Sequence, residues 1–258
     1  VNYLVKEFEC KKSADAYSRS FTSKTGTLDC TKLHTYKYNE DLFNKVNVIP
    51  DGKNHGLIFI LDWSGSMGDT LLDTVKQLYN LVWFCSKVNI PFDVYAFTNS
   101  YNRDGKNFVP RWEESEIQDC IENQFMISPD FNLMHFFTSD VNKKTLDKQL
   151  LNLWRVAFGM SQWVLYTYPN KFTLSGTPLN EAIVCLHSLI PQFQKKNKVQ
   201  KINTIILTDG EANVLPYFKR NDYYDDNRMG TSRIYAGDFV RNRKTGHTYQ
   251  VQHEYWKF

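Results

Sequence analysis

One short apolar run, Leu57-Ile58-Phe59-Ile60-Leu61, ends abruptly in Asp62-Trp63-Ser64-Gly65-Ser66. A run this short, bounded by small polar residues and rich in β-branched and aromatic side chains, predicts a strand buried on both faces, as in a parallel sheet. The loop after it carries oxygen-bearing side chains at alternate positions. In extended chain, alternate residues point the same way, so Asp62, Ser64 and Ser66 converge beyond the carboxyl end of the strand. Open α/β sheets bind ligands there. A carboxylate with two hydroxyls is a hard-oxygen set suited to magnesium, manganese or calcium.

A second apolar run, Ile202 to Leu207, predicts another buried strand and also ends in an aspartate, within Thr208-Asp209-Gly210-Glu211. Between the two lies Leu174-Ser175-Gly176-Thr177-Pro178, a loop whose proline is placed to open a helix as its first residue. That helix reads to about Gln194, with Leu179, Ile183, Leu186, Leu189 and Ile190 on its apolar side. Further expected elements are a helix over 70–87, with Leu71, Leu72, Val75, Leu78, Tyr79, Val82 and Trp83 recurring at three- and four-residue steps, a strand over 92–97, a strand or helix over 131–137 and a helix over 146–163. A polar helix falls within 6–23. Lys244-Thr245-Gly246, between alternating runs at 233–240 and 248–251, predicts a β-hairpin.

Asp62, Ser64, Ser66, Thr177 and Asp209 together resemble the metal-ion-dependent adhesion site of von Willebrand factor A domains, in residue type, order and element. The resemblance implies an α/β, Rossmann-like, doubly wound and mostly parallel sheet. It implies a cation, Mg2+ with Mn2+ or Ca2+ as substitutes, held by those five residues directly or through water, with a position open to a partner's Glu or Asp. Such a site binds and does not catalyse: it supplies no general base near neutral pH. Thr25-Gly26-Thr27-Leu28-Asp29 before Leu33, with Asp62-Trp63-Ser64-Gly65-Ser66-Met67, is similar to the carboxyl-terminal domain of the CobT family. Trp63 and the spacer 51–56 look most like CobT-like proteins of T4-like tailed phages.

That family implies a cytoplasmic adaptor, bacterial or phage-encoded in a bacterial host, whose partner is an AAA+ ATPase of the MoxR/CobS type. A second reading is a cobaltochelatase subunit acting directly in cobalt insertion. A third is a peptidase or hydrolase, which the lack of a G-x-S-x-G elbow around Ser64 disfavours. The resemblance covers roughly 20–215. The expected organisation is an N-terminal extension, 1–55, packing on a main domain, 56–258, with an insertion-rich stretch at 99–171 and a hairpin tail at 229–258. The start at Val1 and the short tail after the second aspartate predict a fragment lacking its last βα units.

Composition constrains the partners. A net charge of +3 is too mild to argue for nucleic acid. No apolar stretch approaches the roughly 20 residues that span a bilayer. The 5 cysteines (Cys10, Cys30, Cys85, Cys120, Cys185) lack C-x-x-C spacing and read as buried free thiols in a reducing compartment.

Each remaining candidate has a plain structural role beside the functional one. His135, His187 and His247 lack ligand spacing, and His187 reads as packing. Asp222, Asp225 and Asp226 read as a solvated turn, and Arg241, Arg243 and Lys244 as a solvated hairpin tip. Ser64 and Ser66 alone could cap the following helix, Thr177 alone could be an N-cap, and Asp209 a turn residue. Trp63 fits equally an exposed anchor for a partner and a ring packed under its loop.

Overall fold

The computed structural model describes residues 1–18, 21–23, 29–38, 46–48, 55–99, 114–162, 172–210, 212–220 and 229–251. The elements in chain order are α1 (Asn2–Ser18), β1 (Phe21–Ser23), β2 (Val46–Val48), β3 (His55–Asp62), α2 (Leu71–Lys87), β4 (Phe92–Asn99), α3 (Glu114–Gln118) and β5 (Phe131–Thr138). They continue with α4 (Lys143–Ser161), α5 (Leu179–Asn197), β6 (Lys201–Leu207), β7 (Pro216–Arg220), β8 (Met229–Arg233), β9 (Phe239–Arg241) and β10 (Thr248–Gln250).

The architecture is α/β. A mixed, mostly parallel sheet of 4 strands runs in the order β5-β4-β3-β6 among the described residues. β3 pairs parallel with β4 on one side and with β6 on the other, while β5 lies antiparallel against β4. The smaller pairs β1-β2, β7-β8 and β9-β10 are antiparallel.

β3 reads as a continuous apolar run because both of its faces are covered. Ile58, Phe59, Ile60 and Leu61 are all fully buried. Alternation then sorts the strands into two layers. Phe59 and Leu61, with Val94 and Ala96 of β4, face α2 and α4. Ile58 and Ile60, with Phe97, face α5. Helices on both faces make the sheet doubly wound. α1 lies against α2, with the Phe8 ring edge-on to Phe84 at 5.5 Å and the Lys87 ammonium donating to Asn2 Oδ1.

The structure corrects several sequence expectations. The ambiguous stretch 131–137 is the edge strand β5. β6 is only half-buried, not fully covered, because it is the last strand of the described sheet. α5 continues through Pro191 to Asn197. Its covered side is Leu179, Ala182, Leu186, Ile190 and Phe193, a 3.6-residue stripe that leaves Ile183 and His187 exposed. Burial of Phe193, and of Val199 just beyond the helix, ties its last turns to the sheet and offsets the bond lost at the proline.

Trp83 of α2 is 45% exposed, outside the core its spacing suggested. Cys85 is buried, but Cys10 and Cys30 are exposed; all five thiols are free. The hairpin arms are shorter than expected, since Arg233 ends β8, paired with β7. Residues 24–28, 51–54 and 222–226, which carry part of the family resemblance and the tail aspartates, lie outside the described residues. No helix among the described residues is long and apolar enough to cross a membrane.

Candidate metal centre

Numbered among themselves in chain order, the strands of the main sheet lie 3-2-1-4. The order reverses between β3 and β6, and the crevice at the carboxyl ends of that pair is the topological switch point where open α/β sheets bind ligands. Asp62 ends β3. Its neighbour Leu61 pairs with Leu207, so Asp62 and Thr208 leave the sheet side by side.

The loop after Asp62 is held at every step. The Asp62 carboxylate, fully buried, accepts the Ser64 N–H on Oδ1 at 2.9 Å and the Thr208 hydroxyl on Oδ2 at 2.6 Å. The Trp63 N–H donates to the Phe97 carbonyl at 3.0 Å, extending the ladder with β4. The Gly65 N–H donates to the Ser175 carbonyl at 2.7 Å, and Ser64 and Ser175 form a parallel bridge. Ser66 then opens a single 3-10 turn, Ser66–Gly68. Neither serine caps α2, whose N-cap position is Thr70.

Four of the five expected ligands form one hydrogen-bonded set. Ser66 Oγ donates to Asp209 Oδ1 at 3.1 Å, and Ser64 Oγ lies 3.0 Å from Ser66 Oγ. Ser66 spends its one proton on Asp209, so the Ser64 hydroxyl is the donor in the serine pair. The hydroxyls of Ser64 and Ser66 and the Asp209 carboxylate therefore form a contiguous oxygen row.

Thr177 reaches the same end of the sheet through the Ser175 bridge. Its carbonyl accepts the N–H groups of Leu179 and Asn213, each at 2.8 Å. Among the described residues no side-chain hydrogen bond joins Thr177 to the other four. Pro178, not Thr177, occupies the N-cap position of α5, one residue before the place expected for it.

The row fits a small divalent cation. Oxygens at about 2.05 Å from magnesium, arranged octahedrally, are about 2.9 Å from their neighbours. The spacings of 3.0 and 3.1 Å are set by the hydrogen bonds between these groups and lie close to that edge. Burial pushes the Asp62 carboxyl above the usual aspartate range, and the Asp209 charge adds to this, against the hydrogen bonds from Thr208 and Ser64. A cation beside these carboxylates would relieve that repulsion. No group of three His, Cys, Asp or Glu side chains placed to hold a metal occurs among the described residues, so a cation here must draw on hydroxyls.

Trp63 is packed under the loop, not displayed. It is fully buried, meets Phe136 edge-on at 5.3 Å, and donates its indole N–H to the Phe172 carbonyl at 2.8 Å. His135 stacks on Tyr95 at 4.6 Å and lies 3.6 Å from Asp93. Burial alone would raise the Asp93 carboxyl, but the polar contacts with His135 and Thr138 and the nearby charge of Lys196 hold it below the usual range. Arg241, Arg243 and Lys244 are exposed at the hairpin turn. Sequence reasoning missed the part played by Thr208; the register Leu61 to Leu207, once known, places its hydroxyl against Asp62.

No known protein family, curated protein or solved structure matches this chain.

Proposed function

We propose that the chain is a metal-ion-dependent protein-binding domain of the von Willebrand factor A type. The observation that carries this is the hydrogen-bonded oxygen row of Ser64, Ser66 and Asp209, with Asp62 tied beneath it through the Ser64 N–H, at the switch point of a 3-2-1-4 sheet. Thr177 completes the ligand set from the loop that Ser175 pins beside Gly65. Bound Mg2+ supplies an electrophilic centre with a coordination position for an outside carboxylate.

The residues of this chain do the rest. Ser64 and Ser66 offer hydroxyl oxygens, Asp209 accepts the Ser66 proton, and Asp62 fixes the loop through the Ser64 N–H. Asp62 is engaged by the Ser64 N–H and the Thr208 hydroxyl, which leaves Asp209 as the one carboxylate in the row, so the charge of a divalent cation stays incompletely neutralised and favours capture of a partner's Glu or Asp. The partner in this reading is an AAA+ ATPase of the MoxR/CobS type, with the chain a CobT-like adaptor between the ATPase and its client.

Magnesium titration by calorimetry tests the site. Wild type should bind Mg2+, and Asp62→Ala, Ser66→Ala and Thr177→Ala should each lose affinity by roughly ten- to a hundredfold. Equal binding by all four proteins would refute it. Binding of a purified MoxR-type ATPase, measured with Mg2+ and with chelator, tests the partner; binding indifferent to chelation would overturn the bridging role.

A further inference from the structure

Residues 123–126, β7 and the hairpin of β9 and β10 enclose a groove. The segment 123–126 pairs with β7: the Asn123 and Met126 N–H groups donate to the Phe218 and Pro216 carbonyls at 2.7 and 2.8 Å. Phe125 and Tyr217 therefore stand directly opposite one another in an antiparallel bridge, with both rings on one face. The second wall is β9. Phe239 and Arg241 point to one side of that strand, about 7 Å apart along it. Phe125, Tyr217, Phe239, Arg241 and Arg243 line one cavity of about 650 Å3 between the two walls.

Phe239 is 66% exposed and Phe125 46%. Single exposed apolar residues need no explanation, but rings gathered around one groove mark a binding surface. Neither the Arg241 nor the Arg243 guanidinium has a carboxylate partner among the described residues. Asp238, which also lines the groove, is engaged by its own loop: Oδ2 accepts the Tyr235 N–H at 2.7 Å. The net charge of the whole chain is mild, but residues 229–251 hold Arg233, Arg241, Arg243 and Lys244 against Asp238 alone.

We propose that this groove binds single-stranded nucleic acid. Bases stack on Phe125, Tyr217 and Phe239, and the Arg241 and Arg243 guanidiniums take the phosphates. Ring stacking is tolerant of sequence, since every base has a flat face, so the groove follows a strand and does not read it. An acidic peptide would satisfy the arginines but leave the rings without flat partners. The groove uses none of the residues around Asp62, and binding here is independent of the cation site.

Fluorescence anisotropy of a labelled oligothymidylate of about 12 nucleotides, titrated with the full chain in chelator at low salt, tests this. Wild type should bind, and its affinity should fall with salt at a log–log slope of about −1.4 for two phosphate contacts. Phe239→Ala should weaken binding roughly five- to a hundredfold, as should Phe239→Leu, which keeps an apolar side chain without the ring. Arg241→Ala with Arg243→Ala should weaken it and flatten the salt slope. Lys144→Ala, exposed on α4, should bind as wild type. The substituted side chains are exposed, so the variants should keep the circular dichroism of wild type. No binding by wild type would overturn the proposal, as would affinity indifferent to Phe239→Leu, which would leave phosphate attraction alone. Tighter binding of a polyglutamate peptide than of the oligonucleotide would overturn it in favour of an acidic protein partner.

Discussion

The Ser66 hydroxyl donates to the Asp209 carboxylate across 3.1 Å, joining the loop after β3 to the loop after β6. The pair is 143 residues apart in the chain and meets only because β3 and β6 are parallel neighbours. Replacing either residue by alanine removes an oxygen from the row and frees its partner. Each single variant should therefore lower Mg2+ affinity roughly ten- to a hundredfold. The double variant should lose less than the sum of the two, because the residues act as a unit. Calorimetry on the four proteins of the cycle decides it; strict additivity would mean that the two bind separately.

The raised Asp62 carboxyl fixes the sign of a pH effect. A carboxyl whose folded value lies above its unfolded one holds its proton more tightly when folded. Its contribution to stability is present at pH below the unfolded value and is lost as pH rises through the folded value. In metal-free protein, the difference in Tm between wild type and Asp62→Asn should therefore favour wild type in acid and shrink or reverse toward neutral pH. Magnesium requires the ionised carboxylate, so the Tm gained from Mg2+ should be greatest near neutral pH. It should fade on acidification, beginning above the ordinary aspartate range. A magnesium effect that grows on acidification would contradict this.

Asp93 titrates the opposite way. Its carboxyl is held low, so its contribution is present above the unfolded value and lost as pH falls through the folded one. The acid limb of the stability curve should flatten in Asp93→Asn relative to wild type, measured by urea unfolding at successive pH values. Unchanged curvature would show that the contacts with His135 and Thr138 do not persist in solution.

Trp63 supports the loop through its indole N–H to the Phe172 carbonyl. Trp63→Phe keeps the ring's contact with Phe136 but leaves that carbonyl without its donor. The expected loss of stability is about 1–3 kcal/mol, read by urea unfolding. If the tryptophan acted as an exposed partner anchor, stability would stay unchanged and partner binding would fall.

The sequence made β3, the helix α2 and the row Asp62, Ser64, Ser66 legible because each carries a periodic or spaced local signal. β6 was harder to read: its apolar run suggests full burial, but the neighbour it lacks is a matter of sheet order, which no local pattern encodes. The exposed side of α5 was misassigned for a related reason. Ile183 is as apolar as Leu186, and only the direction of the sheet beneath the helix chooses between them. β7 and β8 went unread because their pairing joins Tyr217 and Phe218 to the polar stretch Met229–Arg233. Trp63 was undecided from sequence because either face of a loop can take an indole, and Phe172, its partner, lies 109 residues away.

Gly56 tests how closely α5 must approach the sheet. It lies near the start of β3, opposite Ile202 of β6, where a methyl group would come within 2.5 Å of Phe193 Cε1 and 3.2 Å of Val199 Cγ2. Phe193 is 3% exposed and so has little room to turn aside. Gly56→Ala should therefore destabilise the protein by about 1–3 kcal/mol through overpacking. Phe193→Leu shortens the opposing side chain and should recover part of that loss in the double variant, although alone it leaves a cavity. Gly56 and Asp62 are six residues apart on one strand, about 20 Å at the rise of extended chain. Magnesium affinity of folded Gly56→Ala should accordingly match wild type. Urea unfolding of the four proteins of this cycle, with calorimetry on the folded variants, provides the measurement. Absence of coupling between Gly56 and Phe193 would show that α5 sits farther from the sheet than 2.5 Å for an added methyl implies.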